Sequence, residues 1–180
     1  MTFDKIIDDG RLWAVRYANN RDNALQTVLS QWSDAGWLAD FFTQNFDDLI
    51  SCFRIINIED AIYQTMEDRD ELACVIMDIS PDANLEHFFR PLYNNQTGEM
   101  LLEKDKGRPR RRSWLRLYAI KLNVGIYIIT GGAIKLTRTM QEREHTLQEL
   151  ERMEKVRNFL LREGIFDEDS FNDYQKEVKP

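Results

Sequence analysis

Two strand-like runs joined by a very short connection place the strongest constraint on the fold of this chain. Residues 113–122 alternate between two sets of side chains, and residues 125–131 form a second apolar run. The runs meet at Asn123-Val-Gly125, a connection so short that the two strands must be antiparallel neighbours. The chain is therefore expected to build an antiparallel β-meander around these two strands.

The alternation in the first run predicts two different faces of the sheet. Side chains on successive strand residues point to opposite faces. One face is expected to carry Trp114, Arg116, Tyr118 and Ile120, and the other Leu115, Leu117 and Ala119. We therefore expect one apolar face and one cationic face that also bears aromatic rings.

The remaining elements predict one α+β domain that spans residues 1–180. A period of two predicts a strand over 11–17, and a short strand is expected over 99–104, followed by a turn at 105–109. Apolar residues at helical spacing predict four helices: 23–32, a second after Ser33-Asp34, 57–80 and 145–163. We expect the N-terminal helices and the C-terminal helix to pack on one face of a small antiparallel sheet, with 57–82 as a helical insertion and 165–180 as a loosely held tail.

Charge is distributed unevenly along the chain. Residues 101–143 contain 11 lysines and arginines against 3 aspartates and glutamates, whereas the whole chain carries a formal net charge of −7. Clustered lysine and arginine attract phosphates before any sequence is read. The local reversal of charge predicts a confined site for an anion, with a polyphosphate or nucleic acid as the obvious candidate.

Several functional classes lack support in the sequence. The longest apolar runs are too short to span a membrane and the first residues lack a secretory signal pattern, so a cytoplasmic protein with no membrane partner is expected. Cys52 and Cys74 are expected to be buried free thiols and not part of a metal site. No phosphate-binding or dinucleotide-binding glycine motif occurs, and no cofactor or metal is expected.

The C-terminal half resembles the RelE/HigB superfamily of toxin–antitoxin toxins, in particular its phage-derived HigB-like branch. Two stretches carry the resemblance: Arg116-Leu-Tyr118, and Tyr127-Ile-Ile-Thr-Gly-Gly-Ala-Ile-Lys-Leu-Thr-Arg-Thr-Met-Gln141 before a terminal amphipathic helix. Gly132, Lys135 and Thr137 match the pattern of that branch, while Gly131 stands where it usually has histidine. The similarity covers roughly residues 86–164 and the strand over 12–17.

The resemblance implies a RelE-like fold and an activity. Proteins of this family cleave mRNA on the ribosome, and each is inhibited by a helix-turn-helix antitoxin encoded beside it. The expected partners are therefore the ribosome, mRNA and such an antitoxin, while the oligomeric state is left open.

The residues suited to this chemistry are cationic. Cleavage of RNA by its own 2′-hydroxyl requires stabilisation of charge on the phosphate, which arginine and lysine can supply without a metal. The expected catalytic residues are Arg116, Tyr118, Lys135 and Arg138, with Tyr118 stacking on a base or orienting a proton. The expected nucleic-acid-binding residues are Arg108, Arg110, Arg111 and Arg112.

Alternatives remain for each of these assignments. Arg116, Lys135 and Arg138 could be ordinary surface cations, and the arginine run could bind an acidic antitoxin. His145 could serve as a general acid, although a solvent-exposed histidine at the start of a helix is the simpler interpretation. The alternative function is a non-catalytic RelE-fold protein that binds a protein partner or nucleic acid through its basic face; a gyrase-poisoning toxin is a third, weaker possibility.

Overall fold

A computed structural model of the chain describes residues 1–92, 113–122 and 125–178, together with the backbone of residues 102–107. The described strands β1 to β6 are, in chain order, Thr2–Lys5, Leu12–Arg16, Phe89–Pro91, Leu102–Gly107, Leu115–Leu122 and Ile126–Ile134. The described helices α1 to α6 are Ala24–Gln31, Ala35–Gln44, Phe46–Asp48, Ile58–Met77, Glu144–Arg162 and Glu168–Val178. A π-helical turn, Leu49–Phe53, continues α3, and a 3₁₀ turn, Leu85–His87, precedes β3.

The six strands form one mixed sheet in the order β1-β2-β6-β5-β4-β3. The predicted α+β class is confirmed, and β5 and β6 are the antiparallel pair that their short connection requires. The expectation of a wholly antiparallel sheet is wrong at one position, because β2 pairs with β6 in parallel, with Leu12 opposite Tyr127. More than a hundred residues separate these two strands, so no turn between them reveals their relative direction.

Helices cover both faces of the sheet, where one covered face was expected. An N-terminal layer, which contains α1, α2 and α4, packs on Leu115, Leu117 and Ala119 of β5. A C-terminal layer, made by α5 and α6, packs on the opposite face, to which Tyr118, Ile120 and Leu122 belong. Both sets are almost completely buried. No exposed cationic and aromatic face therefore exists along β5, because its apolar residues occupy both sides.

Trp114 lies in the N-terminal layer, not on the face shared by Tyr118 as predicted. Strand β5 begins only at Leu115, so the alternation of the strand does not extend to Trp114. The indole is fully buried and its Nε1 donates a hydrogen bond of 2.9 Å to Oγ1 of Thr65 in α4. This contact fixes the start of β5 against the N-terminal layer.

The helices begin where their capping residues indicate. Asn23 and Gln26 form a reciprocal capping box at the start of α1, and the Asp34 carboxylate accepts the Trp37 backbone N–H in α2. Asn57 caps α4 in the same way through the N–H of Glu59. Gly164 has a φ of +70° just after α5, the left-handed conformation with which glycine commonly ends a helix.

Two further expectations need correction. Strand β4 continues to Gly107, so no turn begins at residue 105. The tail is not loose over residues 165–178: it forms α6, whose fully buried Phe171 has ring centroids 5.4 Å from Phe3 and 5.0 Å from Trp13. Tyr174 of the same helix adds ring contacts of 6.1 Å with Phe3 and with Phe159, so two aromatic side chains pack this short helix on the C-terminal side.

Both cysteines are free, as predicted, but they are exposed and not buried. Cys74 belongs to α4, whose inward stripe consists of Ala61, Thr65, Asp68, Leu72 and Ile76. A residue two positions from Leu72 and from Ile76 lies on the outer side of such a helix. Apolar composition alone did not identify the buried side.

Candidate anion-binding site

Arg116 and Lys135 lie at the same end of the antiparallel β5–β6 pair. Arg116 is the second residue of β5 and pairs with Ala133 near the end of β6. The backbone N–H of Lys135, which follows β6, donates a hydrogen bond of 2.8 Å to the carbonyl of Trp114. Two of the predicted catalytic residues, 19 positions apart in the sequence, are therefore neighbours in the fold.

The side chain of Arg116 points toward the face covered by the C-terminal layer. Leu115 and Leu117, on either side of it, belong to the N-terminal layer, and alternation along β5 turns the intervening residue to the opposite face. Lys135 follows the end of β6. Arg116 and Lys135 are both half-buried, so each retains contact with solvent at this end of the sheet.

Backbone carbonyls hold the charged groups in place. Nη1 of Arg116 donates to the carbonyls of Ser113 and Leu115, each at 2.6 Å. Nζ of Lys135 donates to the carbonyl of Thr137 at 2.7 Å and to that of Arg138. These acceptors are neutral, because a carbonyl carries no net charge.

Arg138 lies beside this pair, on the loop between β6 and α5. Its side chain is exposed, while its carbonyl accepts the hydrogen bond from Lys135. We call Arg116, Lys135 and Arg138 together the cationic end of the sheet. Three positive side chains with partial or full exposure are of the kind that contact phosphate groups.

The loop that carries Arg138 is fixed by contacts on both sides. Leu136 and Met140 are buried. Nε and Nη2 of Arg143 donate to the two carboxylate oxygens of Asp48, each at 2.6 Å. The Glu142 carboxylate accepts the Thr139 backbone N–H at 2.6 Å, and this bond lowers the pKa of Glu142. The cationic end is thus held in position.

Tyr118 is not available to contact a ligand at the cationic end. It lies on the same face of β5 as Arg116, but it is fully buried beneath the C-terminal layer. A base cannot stack on a ring that has no exposed surface, so that predicted role is wrong in this conformation. The sequence placed Tyr118 on the correct face and missed the helix that covers it.

His145 is not a solvent-exposed residue at the start of α5. It is half-buried, its Nε2 lies 2.9 Å from the carbonyl of Ile134, and its ring packs edge-on against Phe41 at 5.1 Å. Since a carbonyl only accepts, Nε2 carries the proton in this contact. The imidazole therefore ties α5 to the end of β6.

The predicted nucleic-acid-binding residues Arg108, Arg110, Arg111 and Arg112 lie outside the described residues. In the sequence they directly precede Ser113, whose carbonyl is bound to Arg116. Their assignment stays a prediction.

Sequence reasoning missed Glu149, a buried carboxyl group on α5. Burial raises the pKa of Glu149 to about 7, although the Arg152 guanidinium, 2.6 Å from Oε1, and the Gly132 backbone N–H act in the opposite direction. The signal was present in the sequence: Glu149 lies at helical spacing from the buried residues Met153, Val156 and Leu160. An acidic residue in line with an apolar stripe marks a group whose pKa is perturbed.

Tyr17 completes the polar surroundings of Glu149. Its hydroxyl donates a hydrogen bond of 2.5 Å to the carbonyl of Thr130, where β6 bulges between its pairings with Tyr118 and Ala119. Burial and the charge of Glu149 raise the pKa of Tyr17. The bulge therefore lies at Thr130, one residue before the Gly131-Gly132 pair.

Comparisons with known proteins leave the family open. No family model, curated protein or solved structure matches the chain. Among the described residues, no group of three histidine, cysteine or acidic side chains is arranged to hold a metal ion. Within the same part of the chain, no helix combines the length and apolar character needed to cross a membrane.

Proposed function

We propose that this chain is the toxin of a toxin–antitoxin module, a cytoplasmic endoribonuclease that cleaves mRNA on the ribosome. The observation that carries the proposal is the convergence of Arg116 and Lys135 at one end of β5 and β6, beside Arg138. The resemblance of residues 116–141 to RelE/HigB toxins gives the proposal its specific activity. The net charge of the whole chain is negative, so RNA contact is confined to this end.

The cationic end would stabilise the scissile phosphate of the RNA. When the 2′-hydroxyl of RNA attacks the neighbouring phosphorus, negative charge builds up on the phosphoryl oxygens. Arg116 and Lys135, held by backbone carbonyls, would stabilise that charge with little rearrangement. Arg138, which is exposed, would contact an adjacent phosphate.

The proposed partners would bind the same surface. A helix-turn-helix antitoxin with an acidic segment would compete with RNA for the cationic end, because both offer negative charge. The arginines at 108–112 would extend contact along mRNA or ribosomal RNA. Such an antitoxin would silence the toxin by covering Arg116 and Lys135.

Mapping of transcript ends tests this proposal. After brief induction in a bacterial host, the wild type should produce new 5′ ends inside translated frames, and the Arg116→Ala/Lys135→Ala double variant should not. The matched control is Lys155→Ala/Lys176→Ala, which removes two exposed lysines of α5 and α6 and should cleave like the wild type. Unchanged transcript ends from soluble, folded wild-type protein would contradict the endoribonuclease.

A second candidate function is a non-catalytic protein that binds RNA or a protein partner through the cationic end. Two observations favour it: Tyr118 is buried, and the amine of Lys135 is engaged by two carbonyls. Binding would need only charge, whereas cleavage also needs groups that move protons. RNA binding without new transcript ends would select this candidate.

A further inference from the structure

Exposed apolar side chains are concentrated on one segment of the N-terminal layer. In the described part of the chain, five of the seven large apolar residues that lie in solvent belong to α4 or to the residues just before it: Ile50, Ile56, Tyr63, Val75 and Met77. Ile56, Tyr63 and Met77 are 79%, 67% and 83% exposed. Single exposed apolar residues are ordinary, but a group of them on one segment marks a surface that binds another molecule.

The outer side of α4 carries these apolar residues together with carboxylates. Tyr63, Glu67, Asp70, Cys74 and Met77 recur every three or four residues, so they share one side of the helix, and all five are exposed. We call this side the outer face of α4. Tyr63 and Met77 are 14 positions apart, so the face extends over about four helical turns, or about 21 Å.

The charge of the outer face restricts what can cover it. Six exposed acidic residues lie on this face or beside it: Glu59, Asp60, Glu67, Asp70, Glu71 and Asp78. Arg69 is the only basic residue between positions 57 and 78. Its Nε donates to the carbonyl of Leu29 at 3.1 Å, and its Nη1 donates to the Asp70 carboxylate at 2.7 Å. One arginine cannot balance so many carboxylates, and the face is strongly negative.

A negative surface disfavours three common occupants. RNA and anionic membrane surfaces carry charge of the same sign. A second copy related by a two-fold axis would place its own α4 against this one, so that carboxylates would meet carboxylates. A protein segment rich in lysine and arginine is attracted instead, because its charge is complementary.

We propose that the outer face of α4 binds a basic amphipathic helix of a partner protein. Apolar side chains of that helix cover Tyr63 and Met77, while its lysines or arginines pair with Glu67 and Asp70. Helices that dock in this way present their contact residues every three or four positions, which is the spacing on the outer face. The interaction is separate from RNA binding, because α4 packs in the N-terminal layer and Arg116 points to the opposite side of the sheet.

A synthetic peptide tests the proposal. The probe is a fluorescently labelled peptide of about 18 lysines and leucines, long enough to cover the four turns and arranged to have one apolar side as a helix. Its control has the same composition in scrambled order. Fluorescence anisotropy should show that the wild type binds the amphipathic peptide at least about tenfold more tightly than the control. Equal affinity for the two peptides would mean general attraction between opposite charges and would overturn the proposal.

Paired apolar variants locate the binding surface. Tyr63→Ser/Met77→Ser removes two exposed apolar contacts and should weaken binding of the amphipathic peptide at least about tenfold. The matched control is Phe166→Ser/Val178→Ser, which removes two exposed apolar residues near the end of the chain and should bind as the wild type. Equal affinity of these two variants for the peptide would contradict binding on α4.

A charge variant and the oligomeric state complete the test. Glu67→Gln/Asp70→Asn should bind the peptide more weakly than the wild type at low salt and should approach it at high salt, because salt screens the lost attraction. Unchanged binding at low salt would remove the role of these carboxylates. Analytical ultracentrifugation should show the same mass for the wild type and Tyr63→Ser/Met77→Ser. A wild-type dimer that this variant dissociates would assign the face to a second copy and overturn the proposal.

Discussion

The two faces of the sheet are closed in different ways. On the N-terminal side, aromatic rings pack around the start of β5: Trp114 has ring centroids 5.7 Å from Phe42 and 5.1 Å from Phe53. On the C-terminal side, α5 places the carboxyl group of Glu149 against a glycine of β6. Ring packing keeps its strength at any pH, whereas the contact of a carboxyl group does not. Apolar packing supports both layers, since Phe171 packs on Phe3 and Trp13 on the C-terminal side, and that side adds the Glu149 contact, which changes with pH.

The largest expected effect lies in the N-terminal layer. Trp114→Ala should lower the free energy of unfolding by about 3–5 kcal/mol, because it leaves a cavity and removes the partner of Thr65. Trp114→Phe keeps most of the volume and should cost about 1–2 kcal/mol, mainly through loss of the hydrogen bond to Thr65, whose hydroxyl still donates to the carbonyl of Ala61. Urea unfolding at pH 7 measures both. Equal losses for the two variants would mean that ring packing is not what closes this face.

The next effect is a pH dependence confined to the C-terminal layer. The folded-state pKa of Glu149, about 7, lies above its ordinary value of 4.5, so the folded protein holds this proton more tightly than the unfolded chain. This contribution to stability is complete below about pH 4.5 and is lost as the pH rises through 7. It amounts to at most about 3 kcal/mol.

The Glu149→Gln variant isolates this pH-dependent contribution, because glutamine does not ionise. Relative to the wild type, the variant should gain stability between pH 5 and about pH 7 and level off at higher pH, as measured by urea unfolding at each pH. Parallel profiles for the two proteins would show that Glu149 titrates normally and is not buried as described.

The smallest expected effect concerns the contact between residue 131 and the Glu149 carboxyl group on the C-terminal side. Gly131→Ala should destabilise the protein by about 1–3 kcal/mol, because its Cβ collides with the Glu149 carboxyl group. In a Glu149→Ala background the same substitution should cost much less, giving a coupling energy that a double-mutant cycle measures. Gly36→Ala, with a nearest contact of 3.3 Å to the Asp34 side chain, is a milder control on the other face. If the stability losses of the two single variants simply added in the double variant, the Glu149 carboxyl group would not lie against Gly131.

Local patterns predicted most of the elements. The capping residues Asn23, Asp34 and Asn57 and the terminating Gly164 fixed the helices to within a few residues. The connection near Gly125 correctly required that β5 and β6 be antiparallel. These features depend on neighbours within a few residues, which sequence reasoning can see.

The errors came from contacts between distant parts of the chain. Strand β1, only four residues long, was missed because it is recognisable mainly by its pairing with β2. The covering of Tyr118 depends on α5, whose buried side includes the polar residues Thr146 and Glu149. Because only apolar residues were assigned to the buried side, the sequence analysis missed that Glu149 of α5 is buried.

The most direct test of the central claim is the affinity of the protein for single-stranded RNA at several salt concentrations. The comparison is between Arg116→Ala/Lys135→Ala and the control Lys155→Ala/Lys176→Ala. If RNA binds at the cationic end, the first variant should bind at least about tenfold more weakly than the wild type. The slope of its log affinity against log salt concentration should be smaller by about one to two, while the control should behave as the wild type. Equal affinity and equal salt dependence in the two variants would show that RNA, if bound, is held elsewhere.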